Sequence, residues 1–161
     1  MTVQEYNKCA DLYADNLYRF ILKSIQNKDN SKDLVQDAYE ILWLNIKLVE
    51  FDKAKSYLFT VAYRKMIDFI RKNKRISAFE TAPEMEYSHS EQYSDLKEIL
   101  NFAVSKLPED QRTVVLLRDY EGYSYDEISE ITGLNESQVK VYIFRARVFL
   151  KNYIKNPQLV I

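Results

Sequence analysis

The 161-residue chain is 47% apolar and 14% aromatic, holds two glycines and three prolines, and carries a formal charge of −1. That composition excludes a disordered chain and favours helices with few tight turns. No leader pattern and no apolar run of about 18 residues occurs, so neither secretion nor membrane insertion is expected and the cytoplasm is the expected compartment. Cys9, the lone cysteine, excludes an internal disulfide and a thiolate-rich zinc site and reads as a small packing residue. With His89 the single histidine, in a polar stretch that reads as loop, no constellation for catalysis remains. No catalytic residue, metal or cofactor is expected.

The charges are sorted along the chain. Val61 to Ile76 sums to +5, Ser77 to Glu98 to −5, and Gly133 to Lys155 to +4. Two basic segments therefore flank an acidic one, a division that net charge alone conceals.

From Tyr6 to Gln26, Cys9, Leu12, Tyr13, Leu17, Phe20 and Ile21 recur at helical spacing, and the polar run Asn27 to Asn30 breaks the pattern. Asn30 or Ser31 caps a second predicted helix ending near Phe51. Leu34, Val35, Ala38, Ile41, Leu42 and Leu44 form its apolar stripe, and Asp33, Asp37 and Glu40 its acidic face. A third helix is expected from about Lys53 to Lys74, with Leu58, Val61, Ala62, Phe69 and Ile70 inward and basic residues outward. Periodicity then fades around Pro83, Ser88 and Ser90, which marks residues 77–94 as a flexible acidic linker. Beyond it a helix is expected from Ser94 or Asp95 to Ser105. Pro108 then opens another, centred on Val114 to Leu117 and ended by Gly122.

Ser124 followed by Glu127, and Asn135 followed by Gln138, both have capping-box spacing, and Gly133 between them permits a sharp turn. A short capped helix, a glycine turn and a longer basic helix make a helix-turn-helix across residues 124–149, with Val139, Tyr142 or Ile143, Ala146 and Leu150 inward. The fold class is thus all-α: two small helical domains, residues 1–76 and 95–161, joined by the linker, the second a helix-turn-helix.

In a helix-turn-helix the first turns of the second helix enter the major groove. Glu136, Ser137, Gln138 and Lys140 are the residues placed there, with Gln138 suited to adenine, Glu136 to a cytosine amino group, and Lys140 to guanine or phosphate. Arg145 and Arg147, farther along, suit phosphates. Asp119, Glu121, Asp126, Glu127 and Glu130 should lie away from DNA. In the first domain Tyr57, Phe59, Tyr63 and Phe69 stand among basic residues, a combination that suits stacking of unpaired bases and neutralisation of their backbone, although core packing explains about half of these rings equally well. The face carrying Asp33, Gln36, Asp37, Glu40 and Trp43 is charged for protein rather than DNA, and Trp43 suits either core or a binding hot spot. These residues leave open a dimeric DNA-binding regulator with a palindromic site, and a helical adaptor that does not bind DNA.

Three strings resemble the bacterial sigma-70 family: DLVQDAYEILW (33–43), FDKAKSYLFTVAYRKMIDFIRKNKR (51–75) and LPEDQRTVVLLRDYEGYSYDEISEITGLNESQVKVYIFRARVFL (107–150). With no room for further sigma domains, the resemblance is to the extracytoplasmic-function (ECF) group. It implies a promoter-specificity subunit that binds core RNA polymerase through Asp33, Gln36, Asp37, Glu40 and Trp43. Minus-10 DNA would be melted and captured by Phe51, Lys53, Lys55, Tyr57, Tyr63, Arg64, Arg71, Lys72, Lys74 and Arg75, with Asp68 on or beside the same helix and Phe51 to Lys55 in the loop that accepts a flipped base. The minus-35 helix would carry Glu136, Ser137, Gln138, Lys140, Arg145 and Arg147. Promoter DNA, as duplex and melted strand, and an anti-sigma factor are the further partners implied, with a monomer when free of them. Two positions depart from the family: Tyr63 and Arg64 replace a common arginine-asparagine pair, and Tyr57 a common tryptophan. The acidic linker would follow the nucleic-acid path through the polymerase.

Overall fold

A computed structural model of the protein describes residues 1–77 and 95–155, and all its regular elements among these are helical. Almost all of the expected linker, with His89, lies outside the described residues. α1 (Val3–Ile25) opens on a capping box in which Thr2 and Glu5 exchange side-chain bonds with each other's backbone amides. α2 (Lys28–Leu44) is capped by Asn27, whose side chain accepts from the Asn30 amide, and not by Asn30 or Ser31. It also stops seven residues short of the expected end at Phe51. Asn45 terminates it, donating from Nδ2 to the Ile41 carbonyl at 2.9 Å, and a short 3-10 turn (Phe51–Lys53) then leads into α3 (Ala54–Ser77).

α1, α2 and α3 pack on one another as a three-helix unit. Cys9, Leu17, Phe20 and Ile21 from α1 meet Ala38 and Leu42 from α2 and Leu58, Phe59, Ala62 and Met66 from α3, all with no exposed surface. Burial pushes the Cys9 thiol above its usual pKa, in keeping with a packing residue. Tyr6 and Tyr39 stitch α1 to α2: each hydroxyl donates to a carbonyl of the other helix, Tyr6 to that of Tyr39 at 3.1 Å and Tyr39 to that of Cys9 at 2.9 Å. Two residues expected inward are not. Leu12 and Leu44 are 48% and 74% exposed, because Leu44 falls off the Leu34, Ala38, Leu42 row that faces the core.

The second unit is α4 (Asp95–Lys106), α5 (Glu109–Val115), α6 (Tyr125–Thr132) and α7 (Glu136–Lys155), with α7 against the other three. Pro108 sits at the N-cap of α5, one residue before the position expected for it. α5 runs into a π-helical turn, Leu116–Tyr120, closed by a bond from the Glu121 amide to the Leu116 carbonyl at 3.1 Å. Both glycines of the chain, Gly122 and Gly133, have positive φ.

The two units are not separate. α3 packs on α6 and α1 on α4, and one buried cluster runs through both. Phe59 lies between Phe20, 5.6 Å away, and Tyr123 of the second unit, 5.3 Å away. Beside this aromatic row the Arg19 guanidinium grips Glu121 with two bonds of 3.0 and 3.1 Å. The Glu121 side chain is 2% exposed, and its burial raises the carboxyl pKa above 4.5 more than the Arg19 bonds lower it. A raised folded-state pKa means that the contribution of this group to stability is complete below the unfolded value and is lost as pH rises through the folded one. Glu121→Gln keeps an acceptor for Arg19 without a buried charge. Its thermal midpoint relative to wild type should therefore climb as pH is raised from about 4.5 to neutral. The opposite trend would mean that the ion pair outweighs the burial cost.

Candidate nucleic-acid interface

The helix-turn-helix is built by local chemistry. Ser124 and Glu127 form a full capping box at the start of α6, and Gly133 closes the helix at φ 79°. Asn135 and Gln138 form the next, with bonds of 3.0 and 2.8 Å. Ser129 and Thr132 tie the turn, Ser129 donating to the Leu134 carbonyl at 2.6 Å and Thr132 accepting from the Leu134 amide at 3.2 Å. Ile128, Ile131, Val139, Ile143 and Ala146 hold the pair from beneath.

This leaves Glu136, Ser137, Gln138 and Lys140 exposed on the first turns of α7. They are not all idle: the Gln138 side-chain oxygen is committed to the cap, and Lys140 lies 3.5 Å from Glu136 and over the Tyr125 ring. Arg145 is exposed, whereas Arg147 is bound through Nε and Nη2 to the Asp119 carboxylate, which raises its pKa. The acids expected away from DNA thus divide in use: Asp119 restrains Arg147, Glu121 locks to α1, and Glu127 caps α6.

On α3, Arg71, Lys72, Lys74 and Arg75 form an exposed basic end. Tyr57, Arg64 and Asp68 line a cleft of about 400 Å³ with Ile41, Thr60, Val61 and Lys65, so α2 supplies one wall. Phe69 and Ile70, expected inward, are only partly buried. Met66 and Ile67 take the buried positions instead. Phe59 is removed from the set of stacking rings, since it is wholly buried in the inter-unit core. Phe51 is half-buried with the Lys8 ammonium 5.5 Å above its ring, and Lys53 is exposed.

The second unit reaches this helix. The Lys55 ammonium lies 4.9 Å from the Tyr123 ring centroid, and Lys74 stands 4.0 Å from Glu109. Tyr63 has its hydroxyl pKa raised by burial first and then by Asp110 and Glu109, the acidic first turn of α5.

α2 presents Asp33, Gln36 and Glu40 outward, with Asp37 half-buried on the same side. Trp43 is 47% exposed, edge-on to Tyr6, and beside it Leu44 and Leu48 are 74% and 83% exposed. The acidic helix face is thus followed by exposed apolar side chains, of which Leu44 was expected inward and Trp43 either in the core or at a binding surface. A second unexpected apolar row, Val141, Phe144 and Val148, runs along α7. Its signal was the spacing of three and four residues, out of phase with Val139, Ile143 and Ala146.

An all-helical architecture of two units, the second a helix-turn-helix with basic residues on its longer helix, defines a DNA-binding protein. Comparison with known proteins narrows this class. Residues 10–76 match the family model "Sigma-70 region 2" and residues 97–150 match "Sigma-70, region 4". The chain is 30% identical to the ECF RNA polymerase sigma factor SigM of Bacillus subtilis over 94% of each chain, and 30% identical to RNA polymerase sigma factor SigV of the same organism over 86% and 84%. Its fold is similar to that of the sigma factor RpoE of Bartonella quintana, solved with the anti-sigma factor NepR. There the TM-score is 0.82 at 26% identity, covering 95% of this chain and 98% of that one. The chain belongs to the sigma-70 family of RNA polymerase sigma factors, in its ECF group, and is a promoter-recognition subunit of RNA polymerase.

Gly133 sets the angle between α6 and α7 through its left-handed backbone, and a Cβ there would meet no atom within 4 Å. Gly133→Ala should therefore cost only conformational strain, about 1 kcal/mol. Ser124→Ala should cost about 1 kcal/mol through loss of the cap. Urea denaturation of the full chain measures both, and a Gly133→Ala cost of several kcal/mol would show that the turn tolerates no side chain.

Proposed function

We propose that residues 1–76 form the polymerase-binding and minus-10 unit, 77–94 the linker and 95–161 the minus-35 unit. Asp33, Gln36, Asp37, Glu40 and Trp43 tether core polymerase. The position of Asp33, Gln36 and Glu40, exposed, and of Asp37, half-buried, on one face of α2, followed along the chain by exposed Trp43, Leu44 and Leu48, is the observation that carries this reading. Phe51, Lys53, Lys55, Tyr57, Tyr63, Arg64, Arg71, Lys72, Lys74 and Arg75 engage the melted minus-10 strand. Glu136, Ser137, Gln138, Lys140, Arg145 and Arg147 meet the minus-35 duplex, with Arg147 exchanging Asp119 for a phosphate.

Each unstacked base step costs a few kcal/mol, while a base stacked on an aromatic ring returns roughly 1–3 kcal/mol, so several captured bases offset local melting. Lys55 and Lys74 are already engaged by Tyr123 and Glu109, so promoter capture competes with contacts inside the chain. The protein supplies recognition and positioning and has no catalytic residue of its own. It acts in the cytoplasm, in keeping with the lack of a helix long and apolar enough to cross a membrane among the described residues. An anti-sigma factor is its proposed regulator, by analogy with the complex that the RpoE structure captures.

Run-off transcription with purified bacterial core polymerase and fragments of the source genome provides the test. Discrete transcripts are expected, and Asp37→Lys with Glu40→Lys should reduce them at least 10-fold together with core binding. A double variant that transcribes as well as wild type would remove the α2 face from the polymerase interface.

A further inference from the structure

A cleft outside all of these faces lies where the two units meet. It has a volume of about 680 Å³, within the range of small-ligand sites, and draws its walls from α1, the start of α2, α4 and the π-helical turn. Four cations line it: Arg19 and Lys23, one turn apart on α1, Lys28 at the first position of α2, and Lys97 on α4. No acid is among its described lining residues. Arg19 has Glu121 as its counter-ion, but Lys23, Lys28 and Lys97 have no carboxylate at ion-pair distance among the described residues.

Lys23 is the least expected of these charges. It is half-buried, donates to Asn101 Oδ1 at 2.7 Å and lies 4.8 Å from the Tyr120 ring centroid. Burial lowers its pKa, and Lys97 and Arg19 lower it further, against a smaller opposing effect of the Glu121 carboxylate. An ammonium has three donors, so the single bond to Asn101 leaves capacity for an acceptor in the cleft. The backbone adds to the same field. Gln26, which also lines the cleft, is the one described non-glycine residue with positive φ, at 57°, and turns the chain so that the N-terminal end of the 17-residue α2 comes to this corner.

We propose that this cleft binds a small polyanion of phosphate groups, an inorganic or nucleoside polyphosphate. Multiple charge is required because the cations come from three helices and converge on one volume. A nucleic-acid chain would call instead for a stripe such as that along the end of α3. Tyr18 and Tyr120 add aromatic side chains to the walls, and a base that packs on either of them would favour the nucleoside form over the inorganic one. Both units build the site, and its ligand therefore binds only while they are packed together. Occupancy favours the arrangement in which Lys55 and Lys74 are engaged within the chain.

The test is titration of the full-length protein with sodium tripolyphosphate and with ATP, followed by calorimetry and by thermal midpoint, against sodium chloride of equal ionic strength. Saturable one-to-one binding and a midpoint rise of a few degrees are expected. Lys28→Gln and Lys97→Gln, both at exposed positions, should each weaken binding about 5- to 10-fold. Lys23→Gln should weaken it more, and Lys47→Gln, at an exposed position beyond the opposite end of α2 from Lys28, should leave it unchanged. ATP binding more tightly than tripolyphosphate would assign the nucleoside class, and equal affinity the inorganic one. The proposal is overturned if neither ligand exceeds the salt control, if Lys28→Gln and Lys97→Gln both bind as wild type, or if Lys47→Gln weakens binding as much as they do. No polymerase or promoter enters this measurement, so its outcome is independent of the assignments on α2, α3 and α7.

Discussion

Phe59 sits at the middle of the molecule with Phe20 on one side and Tyr123 on the other. The packing of the two helical units depends on that row of rings. Each unit is about 60 to 75 residues, a size at which a single core buries too small a fraction of its surface to be comfortably stable. Joining the cores through Phe59 and Tyr123 relieves the shortage and leaves a protein whose halves share one buried cluster. The polar contacts around the row, Arg19 with Glu121 and Lys23 with Asn101, add orientation to an association that the aromatic burial drives.

That association organises the electrostatics. The basic end of α3 is met by the acidic start of α5, and the basic run of α7 is met at Arg147 by Asp119. A chain with near-zero net charge thereby satisfies several cations of its two basic segments internally. These pairs are at the surface, each worth at most about 1 kcal/mol, so a competing anion can displace them without a large penalty. The acidic face of α2 has no such internal partner in the ion pairs of the described residues and remains presented outward.

Features set by neighbours within four residues were legible in the sequence. The Ser124 to Glu127 and Asn135 to Gln138 caps, the turn at Gly133 and the resulting helix-turn-helix follow from side-chain chemistry that acts locally. The acidic row of α2 was legible for the same reason. Where the local pattern was ambiguous it misled: Leu44, Ile46, Leu48 and Val49 continue an apolar run toward Phe51, but Asn45 ends the helix, and Leu44 and Leu48 are exposed. Phe59 shows the other kind of miss. An aromatic ring among lysines suits a stacking surface equally well, and its contacts with Phe20 and with Tyr123, 39 positions back and 64 positions on, make it core. Arg19 with Glu121 spans 102 positions, and nothing in the vicinity of either residue announces the other.

The π-helical turn Leu116–Tyr120 carries one residue more than an α-helical turn would, and its effect is on register. The extra residue lets Asp119 reach α7 while Glu121, two positions later, reaches α1. The turn and the residue that follows it therefore index both α7 and the first unit, as a spacer cut to length. Such a segment accepts exchange of side chains far more readily than a change in its number of residues. One residue removed would pull Glu121 away from Arg19 or Asp119 away from Arg147, so this stretch should keep its length even where its composition drifts.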